Sequence, residues 1–307
     1  MSDIVISGMS GFLGRNLEES LNENNIKYTG LHGKNDCDLL NFTETFHTLY
    51  AIKPSILIHM AGAVGGIFHN ITVPADLMLM NLRMGMNIIE AGVLAGVKRI
   101  ILLGTVCSYP KYTPCPFKTE SLFTNYPDHS NRPYGVAKLA LMELLCAVER
   151  QYGIKHHTLM TANLYGKYDN FANNSNHVIP ALIKRFIHAK ENNLKEVTCF
   201  GSGECTRDLL YAKDACSAII KSIQNENIPQ IINIGTGIET SIKELAYKIS
   251  NIVGYTGKII WDTTKSDGQP RRVLETSQAK EILDWSANTS LYIGLQKTIN
   301  WYTNHGA

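Results

Sequence analysis

Three glycines, Gly8-x-x-Gly11-x-x-Gly14, stand directly after a short apolar run, Ile4-Val5-Ile6, and directly before helical text from Arg15 to Asn24. Glycines at that spacing permit a tight turn and close backbone approach, so that a pyrophosphate can rest at a helix N-terminus. A strand–turn–helix unit at the head of the chain sets a β–α order, and the sequence keeps to it. Ser55 to Met60 and Arg99 to Leu103 read as buried strands, Leu77 to Ala95 and Tyr134 to Tyr152 as helices, and His157 to Met160 as a further strand. Alternation of this kind predicts an α/β fold with a parallel sheet and helices on both faces. After Tyr165 the rhythm weakens. Asn-rich stretches at 169–176 and 191–193 surround a helix from Val178 to Lys190, and no repeat or Pro/Ser linker divides the chain. The expected organisation is two interlocked units. Residues 1–165, with part of 208–237, hold a dinucleotide, and 166–207 with 238–307 form a smaller C-terminal substrate-binding domain.

The 307 residues are 44% hydrophobic and 18% charged, with a formal net charge of +2. That balance suits a globular chain with a substantial core. It offers nucleic acid or anionic membrane no electrostatic hold, and neither is expected as a partner. The apolar runs are broken by Gly, His or charge short of a membrane span. The chain enters its first strand with no basic leader ahead of it. Its seven irregularly spaced cysteines suit free thiols in a reducing compartment. A cytoplasmic location is the expectation. Cys199 and Cys205 lack the close spacing and histidine partners of a zinc site, so no metal is expected.

The second strand bears on the choice of dinucleotide. NAD binding usually places a carboxylate there, about 20 residues past the glycines, to hold the ribose 2′-hydroxyl. This strand ends Thr29-Gly30-Leu31-His32-Gly33-Lys34, with a cation instead. A cation suits a 2′-phosphate, which favours NADP; a solvated loop lysine is the competing reading of Lys34. Asp38 and Leu39 are expected at the adenine edge, and Ser10, Phe12 and Leu13 within the glycine turn. Further on, Tyr134-Gly-Val-Ala-Lys138 puts a phenol and an ammonium on one helix face. There Lys138 is expected to draw the tyrosine down from its usual pKa near ~10. Tyr134 becomes a candidate proton donor or acceptor at an alcohol or ketone oxygen. Thr105 and Cys107 follow an apolar strand, where a substrate would sit.

Together, Gly8/Gly11/Gly14 and Tyr134/Lys138 resemble the extended short-chain dehydrogenases/reductases, most of which modify nucleotide sugars. The likeness sharpens to the GDP-L-fucose synthase family and runs over nearly the whole chain. It is carried by Ala63-Val64-Gly65-Gly66-Ile67, the stretch from Leu103 to Pro110, Asn163-Leu164-Tyr165-Gly166, Asp169-Asn170-Phe171, the stretch from Ser175 to Leu182, and Asp267-Gly268-Gln269-Pro270-Arg271. The resemblance implies a Rossmann-like domain with a smaller substrate domain, a homodimer formed around the Leu77 and Tyr134 helices, and NADPH as cofactor. It implies an epimerase/reductase of GDP-4-keto-6-deoxy-mannose, inverting C3 and C5 and reducing C4. Thr105 would hydrogen-bond the ketone oxygen, Tyr134 would protonate it, and Lys138 would hold the nicotinamide ribose. Cys107 and His177 match the family's epimerisation pair. Their types suit it, because unperturbed thiols and imidazoles ionise near ~8.5 and ~6.5, on either side of neutrality.

The resemblance further implies that Ala61, Asn163 and Leu164 touch the cofactor. Arg207, Arg185 and Arg271 would clamp a diphosphate, and Asn163, Val178, Leu182 and Phe200 would wall the substrate. Lys184 reads as solvated surface. Departures are specific. Thr105 stands where the family commonly has Ser, Ser10 where bacterial relatives carry Arg, and Thr161-Ala162 where a proline precedes the Asn-Leu-Tyr-Gly stretch. Rival readings are a GDP-sugar 4-reductase or a C5-epimerase/4-reductase on a colitose- or deoxyheptose-type sugar, and a non-catalytic dinucleotide sensor.

Overall fold

Parallel strands covered on both faces should be buried almost end to end, and those of the main sheet are, apart from the edge strand at Thr29–Leu31. In the computed structural model, which describes residues 3–172 and 177–305, β1 (Ile4–Ser7) is buried throughout. It is followed by α1 (Phe12–Glu23), β2 (Thr29–Leu31), α2 (Phe42–Ile52), β3 (Ile56–His59), α3 (Ile67–Thr72), α4 (Pro74–Ala95) and β4 (Arg99–Thr105). Then come α5 (Arg132–Tyr152), β5 (Lys155–Thr161), β6 (Asn163–Tyr165), α6 (Val178–Glu191), β7 (Glu196–Phe200) and β8 (Thr206–Tyr211). The chain closes with α7 (Ala212–Gln224), β9 (Ile231–Ile234), β10 (Glu239–Ser241), α8 (Ile242–Val253), β11 (Lys258–Asp262), α9 (Ser277–Leu283) and α10 (Leu291–His305). Each helix and strand read from the sequence is present, with ends displaced by a few residues. The tail of the Asn-rich stretch, including Ser175 and Asn176, lies outside the described residues.

Six strands form the main sheet in the order β2-β1-β3-β4-β5-β9, every pair parallel. The chain leaves β1 toward one edge and returns to β3 on the other side. The crevice beyond the carboxyl ends of β1 and β3 is therefore the place where such sheets take a ligand. The fold is Rossmann-like, as expected. Beyond Asn163 the strands are short: β10-β8-β6 form one small sheet and β11-β7 another. These pack with α6, α8 and α10 around a second apolar core that includes Tyr165, Ile183, Phe186, Leu245 and Ile249. Helix α8 begins with a side-chain cap, in which the Ser241 hydroxyl accepts from the Glu244 N–H at 3.0 Å.

One boundary differs from expectation. Leu274, Ala279, Leu283 and Trp285 pack into the first core, not the second. The Trp285 indole donates to Ser217 Oγ (2.8 Å) and to the Asp214 carbonyl (3.2 Å) of α7. Residues 274–287 thus return to the main sheet, although 238–307 were expected to stay in the smaller unit. A buried aromatic whose partners lie about 70 positions earlier leaves no local trace in the sequence.

Candidate active site

The glycine turn is built for contact with something other than side chains. Gly8 sits at φ +85°, and a Cβ there would lie 2.6 Å from the Ala61 nitrogen, while one on Gly14 would lie 2.2 Å from the Gly8 oxygen. Neither position admits a side chain, so the end of β1, the start of α1 and the end of β3 draw together. Gly11 precedes α1 and supplies no side-chain cap, which leaves the first-turn N–H groups facing the crevice. A cavity of about 1130 Å³ opens there and runs to α6 and β8. At its near rim stand Ser10, Lys34, Asp38 and Leu39. The one other carboxylate of that loop, Asp36, is turned onto His32, accepting from its backbone N–H at 2.8 Å and facing its Nδ1 at 3.1 Å.

The middle of the cavity gathers the candidate chemistry. Helix α5 delivers Tyr134 and Lys138 from one face, and the end of β4 delivers Thr105. The 3-10 turn Val106–Ser108 then projects Cys107, with the Thr105 hydroxyl accepting from the Cys107 N–H at 3.2 Å. Helix α5 crosses this turn so closely that a Cβ on Gly135 would stand 2.7 Å from the Cys107 carbonyl oxygen. His177 is the N-cap residue of α6 and lines the same cavity. Its Nδ1 lies 3.6 Å from Oδ1 of the buried Asp169. Farther along are Val178, Leu182, Arg185 and Phe200, and Arg207 lines the same cavity. The Arg185 guanidinium lies 4.7 Å from the Phe200 ring centre and donates to the Thr198 carbonyl at 2.7 Å.

One candidate is elsewhere. Arg271, expected at a diphosphate, has a side chain 59% exposed and forms a two-pronged pair with Glu239, at 2.7 and 2.6 Å. The neighbouring Arg272 lines the cavity instead. The segment runs extended along β8, with the Thr206 N–H donating to the Pro270 carbonyl and the Arg272 N–H to the Thr206 carbonyl. Successive side chains of an extended segment point to opposite sides, so only one of two adjacent arginines can face inward.

The family model described as the NAD dependent epimerase/dehydratase family matches residues 4–235. The chain belongs to this family. It is 37% identical to the GDP-L-fucose synthase of Sinorhizobium fredii over 99% of this chain and 96% of that one. Among solved structures, it superposes with a TM-score of 0.90 on a GDP-6-OMe-4-keto-L-xylo-heptose reductase from C. jejuni, at 27% identity, covering 99% of this chain and 98% of that chain. A GDP-L-fucose synthetase from Naegleria fowleri bound to NADP gives a TM-score of 0.89 at 25% identity, with 100% and 96% covered.

An epimerase/dehydratase needs its site groups in defined protonation states, and burial sets several of them. Lys138 is buried, and that burial brings its amine down to about 8. Burial pushes the Tyr134 phenol well above its ordinary value, repulsion from Cys107 adds to this, and a hydrogen bond with Thr105 opposes it. The expected depression of Tyr134 by Lys138 is therefore not met: enclosure and Cys107 raise the phenol, Thr105 alone opposes them, and the tyrosine holds its proton. The part-exposed His177 shifts upward. Burial disfavours its charged form, but the attraction of Asp169 prevails and raises its pKa. Beneath Lys138, the imidazole of His59 is paired to Ser7 Oγ at 2.8 Å and held neutral, at about 3, by burial and then by Lys138.

The fit to a dinucleotide rests on observations within this chain. The glycine cradle excludes every side chain, the α1 N-terminus is uncapped, and Asn163 Oδ1 is buried at the cavity wall without a hydrogen-bond partner. Two site residues escaped the sequence reading: Asp169, which meets His177, and Arg272. Each lay inside or beside a stretch already singled out, but nothing in the local pattern says which neighbour a side chain meets across the fold.

Proposed function

We propose that this chain is an NADPH-dependent epimerase/reductase that converts GDP-4-keto-6-deoxy-mannose to GDP-L-fucose. One observation carries the reading: Cys107, His177, Tyr134 and Thr105 open into a single cavity that begins at the glycine turn. A dinucleotide sensor needs the turn but not a thiol, an imidazolium and a protonated phenol arrayed along one ligand. The S. fredii and N. fowleri relatives support both substrate and cofactor. The second reading, a 4-reductase without proton exchange, is favoured by the likeness to the C. jejuni 4-keto-heptose reductase.

Each step follows from the state of a side chain. Inversion at C3 or C5 removes a proton beside the ketone and returns one to the opposite face. His177, held as imidazolium by Asp169, suits the donor, and Cys107 across the cavity suits the acceptor. While either proton is off, negative charge collects on the C4 oxygen, where the Thr105 hydroxyl and Tyr134 phenol can donate hydrogen bonds. Bound NADPH supplies hydride for C4. Tyr134 gives the oxygen its proton, and the Lys138 ammonium, present below about pH 8, holds the ribose side of the cofactor. Arg207 and Arg185 are assigned to the diphosphate of GDP, and Lys34 with Ser10 to the 2′-phosphate. The first core thus carries the dinucleotide and the second the GDP end.

The test is incubation with GDP-4-keto-6-deoxy-mannose and NADPH in deuterated water. Deuterium at C3 and C5 of the product, with NADPH consumed, supports the proposal. Consumption without label leaves a simple reductase, and the absence of both defeats both readings. All seven cysteines are free, in keeping with the cytoplasmic location we assign.

A further inference from the structure

A cation taken out of water calls for an anion. Two guanidiniums lie side by side in the cavity wall, Arg207 and Arg272, exposed to only 7% and 5%. Burial, and then the charge of Arg272, lower Arg207 to about 10. Among the described residues neither forms an ion pair with a carboxylate. Arg207 spends its donors on the Thr206, Gln269 and Asp267 carbonyls. The Asp267 carboxylate itself is taken by Ser202, through its N–H and hydroxyl at 2.8 Å each. The diphosphate assigned to Arg207 accounts for one cation and leaves the other without an anion.

The geometry around Arg272 names that anion. Its Nη1 points at Cys107 Sγ, 3.4 Å away, and its Nε donates to Gln269 Oε1 at 2.7 Å. Gln269 is itself buried and donates in turn to the Pro110 and Lys111 carbonyls, at 3.1 and 2.9 Å. Those carbonyls belong to the loop that follows Cys107. Meanwhile the Arg272 N–H donates to the Thr206 carbonyl of β8. The guanidinium is thus held against the loop that carries the sulfur, while the backbone of Arg272 is tied to the sheet that carries Arg207. Such rigidity is what a hydrogen bond to a soft, weakly accepting sulfur requires.

We propose that Arg272 is a positioning residue for proton exchange, holding the Cys107 sulfur as a thiolate aimed at the sugar. The inference rests on the assignment of Cys107 as the exchange base. In the step it serves, the thiolate takes the proton from the sugar carbon and becomes a thiol, and the C–H electron pair passes to the enolate oxygen. The His177 imidazolium then returns a proton to the other face of that carbon. Arg272 gives up no proton; it steadies the sulfur before the transfer, when the sulfur carries the charge.

The experiment is alkylation of the whole protein by iodoacetamide at pH 6 to 10, followed peptide by peptide, with no sugar present. Cys115 serves as the internal reference, because it is about as accessible as Cys107 while burial disfavours its thiolate. In the unaltered protein Cys107 should react at neutral pH about tenfold faster than Cys115, as expected for a thiol beside a guanidinium. Arg272→Met should remove most of that advantage at neutral pH and little of it at pH 10. Arg272→Lys should restore it in large part. Equal rates for Cys107 and Cys115 in the unaltered protein would overturn the proposal even if Arg272→Met fails to fold. So would an unchanged alkylation profile in a folded Arg272→Met accompanied by a raised KM, which would make Arg272 a substrate ligand only. If the alkylation results hold and no deuterium enters at C3 or C5, the grip on the sulfur stands and the epimerase reading falls.

Discussion

In the proposed reaction His177 serves as an acid only while it carries its proton, and Asp169 prolongs that state. A raised pKa means that the imidazolium persists as pH rises past the point where a free imidazole would lose it; exchange that needs the acid fails above that point. Asp169→Asn removes the attraction and leaves burial, which acts in the opposite direction. The alkaline limb of the solvent-exchange profile should therefore move to lower pH, and the exchange rate at neutral pH should fall by roughly tenfold or more. An unmoved limb, measured by mass spectrometry of the sugar across pH, would mean that Asp169 only shapes the loop. The sequence showed the residues here more clearly than their partnerships. Tyr134 and Lys138 were legible because helix spacing alone places them together. Asp169 was not, since no periodicity links it to His177. The choice between Arg271 and Arg272 required the pairing of their segment with Thr206, which no local pattern specifies.

At the scale of elements, the site depends on α5 passing almost against the Cys107 turn. Alanine in place of glycine in a helix ordinarily gains about 1 kcal/mol. At Gly135 the added methyl would press on the Cys107 carbonyl at 2.7 Å and on Pro127 Cγ at 3.1 Å, and overpacking of that kind costs about 1–3 kcal/mol. The clash should win, because the nearer atom is backbone and cannot rotate aside. Gly135→Ala is expected to lower the denaturation midpoint and to impair proton exchange; a variant more stable than the original would contradict this packing. Helix α4 presents a different case. It is long and apolar enough to span a membrane, yet it packs between α2 and α5 and leaves Leu79, Met86 and Leu94 exposed on its outer side. We assign that face to a second copy of the chain, as the resemblance implies. Light scattering on the eluted protein should give twice the 34.1 kDa of one chain, reverting toward one on Met86→Glu. A monomer at every concentration would remove the assignment.

The whole molecule places two cores on either side of one cleft, and the division of chemical labour follows that plan. The first core supplies the glycine turn, the Thr105–Cys107 segment and α5; the second supplies α6 with His177, and β8 with Arg207. The main sheet was legible from alternating apolar runs, whose burial leaves a plain periodicity. The return of residues 274–287 to that sheet was not, because Leu274, Ala279, Leu283 and Trp285 secure it through partners distant in the chain. The central claim is that one cavity serves two separable reactions on one hexose. Its most direct test compares Tyr134→Phe with Cys107→Ser in deuterated water, scoring label at C3 and C5 beside NADPH consumption. The account predicts that Tyr134→Phe stops reduction while label still enters, and that Cys107→Ser loses label first. Equal loss of label in the two variants would contradict it.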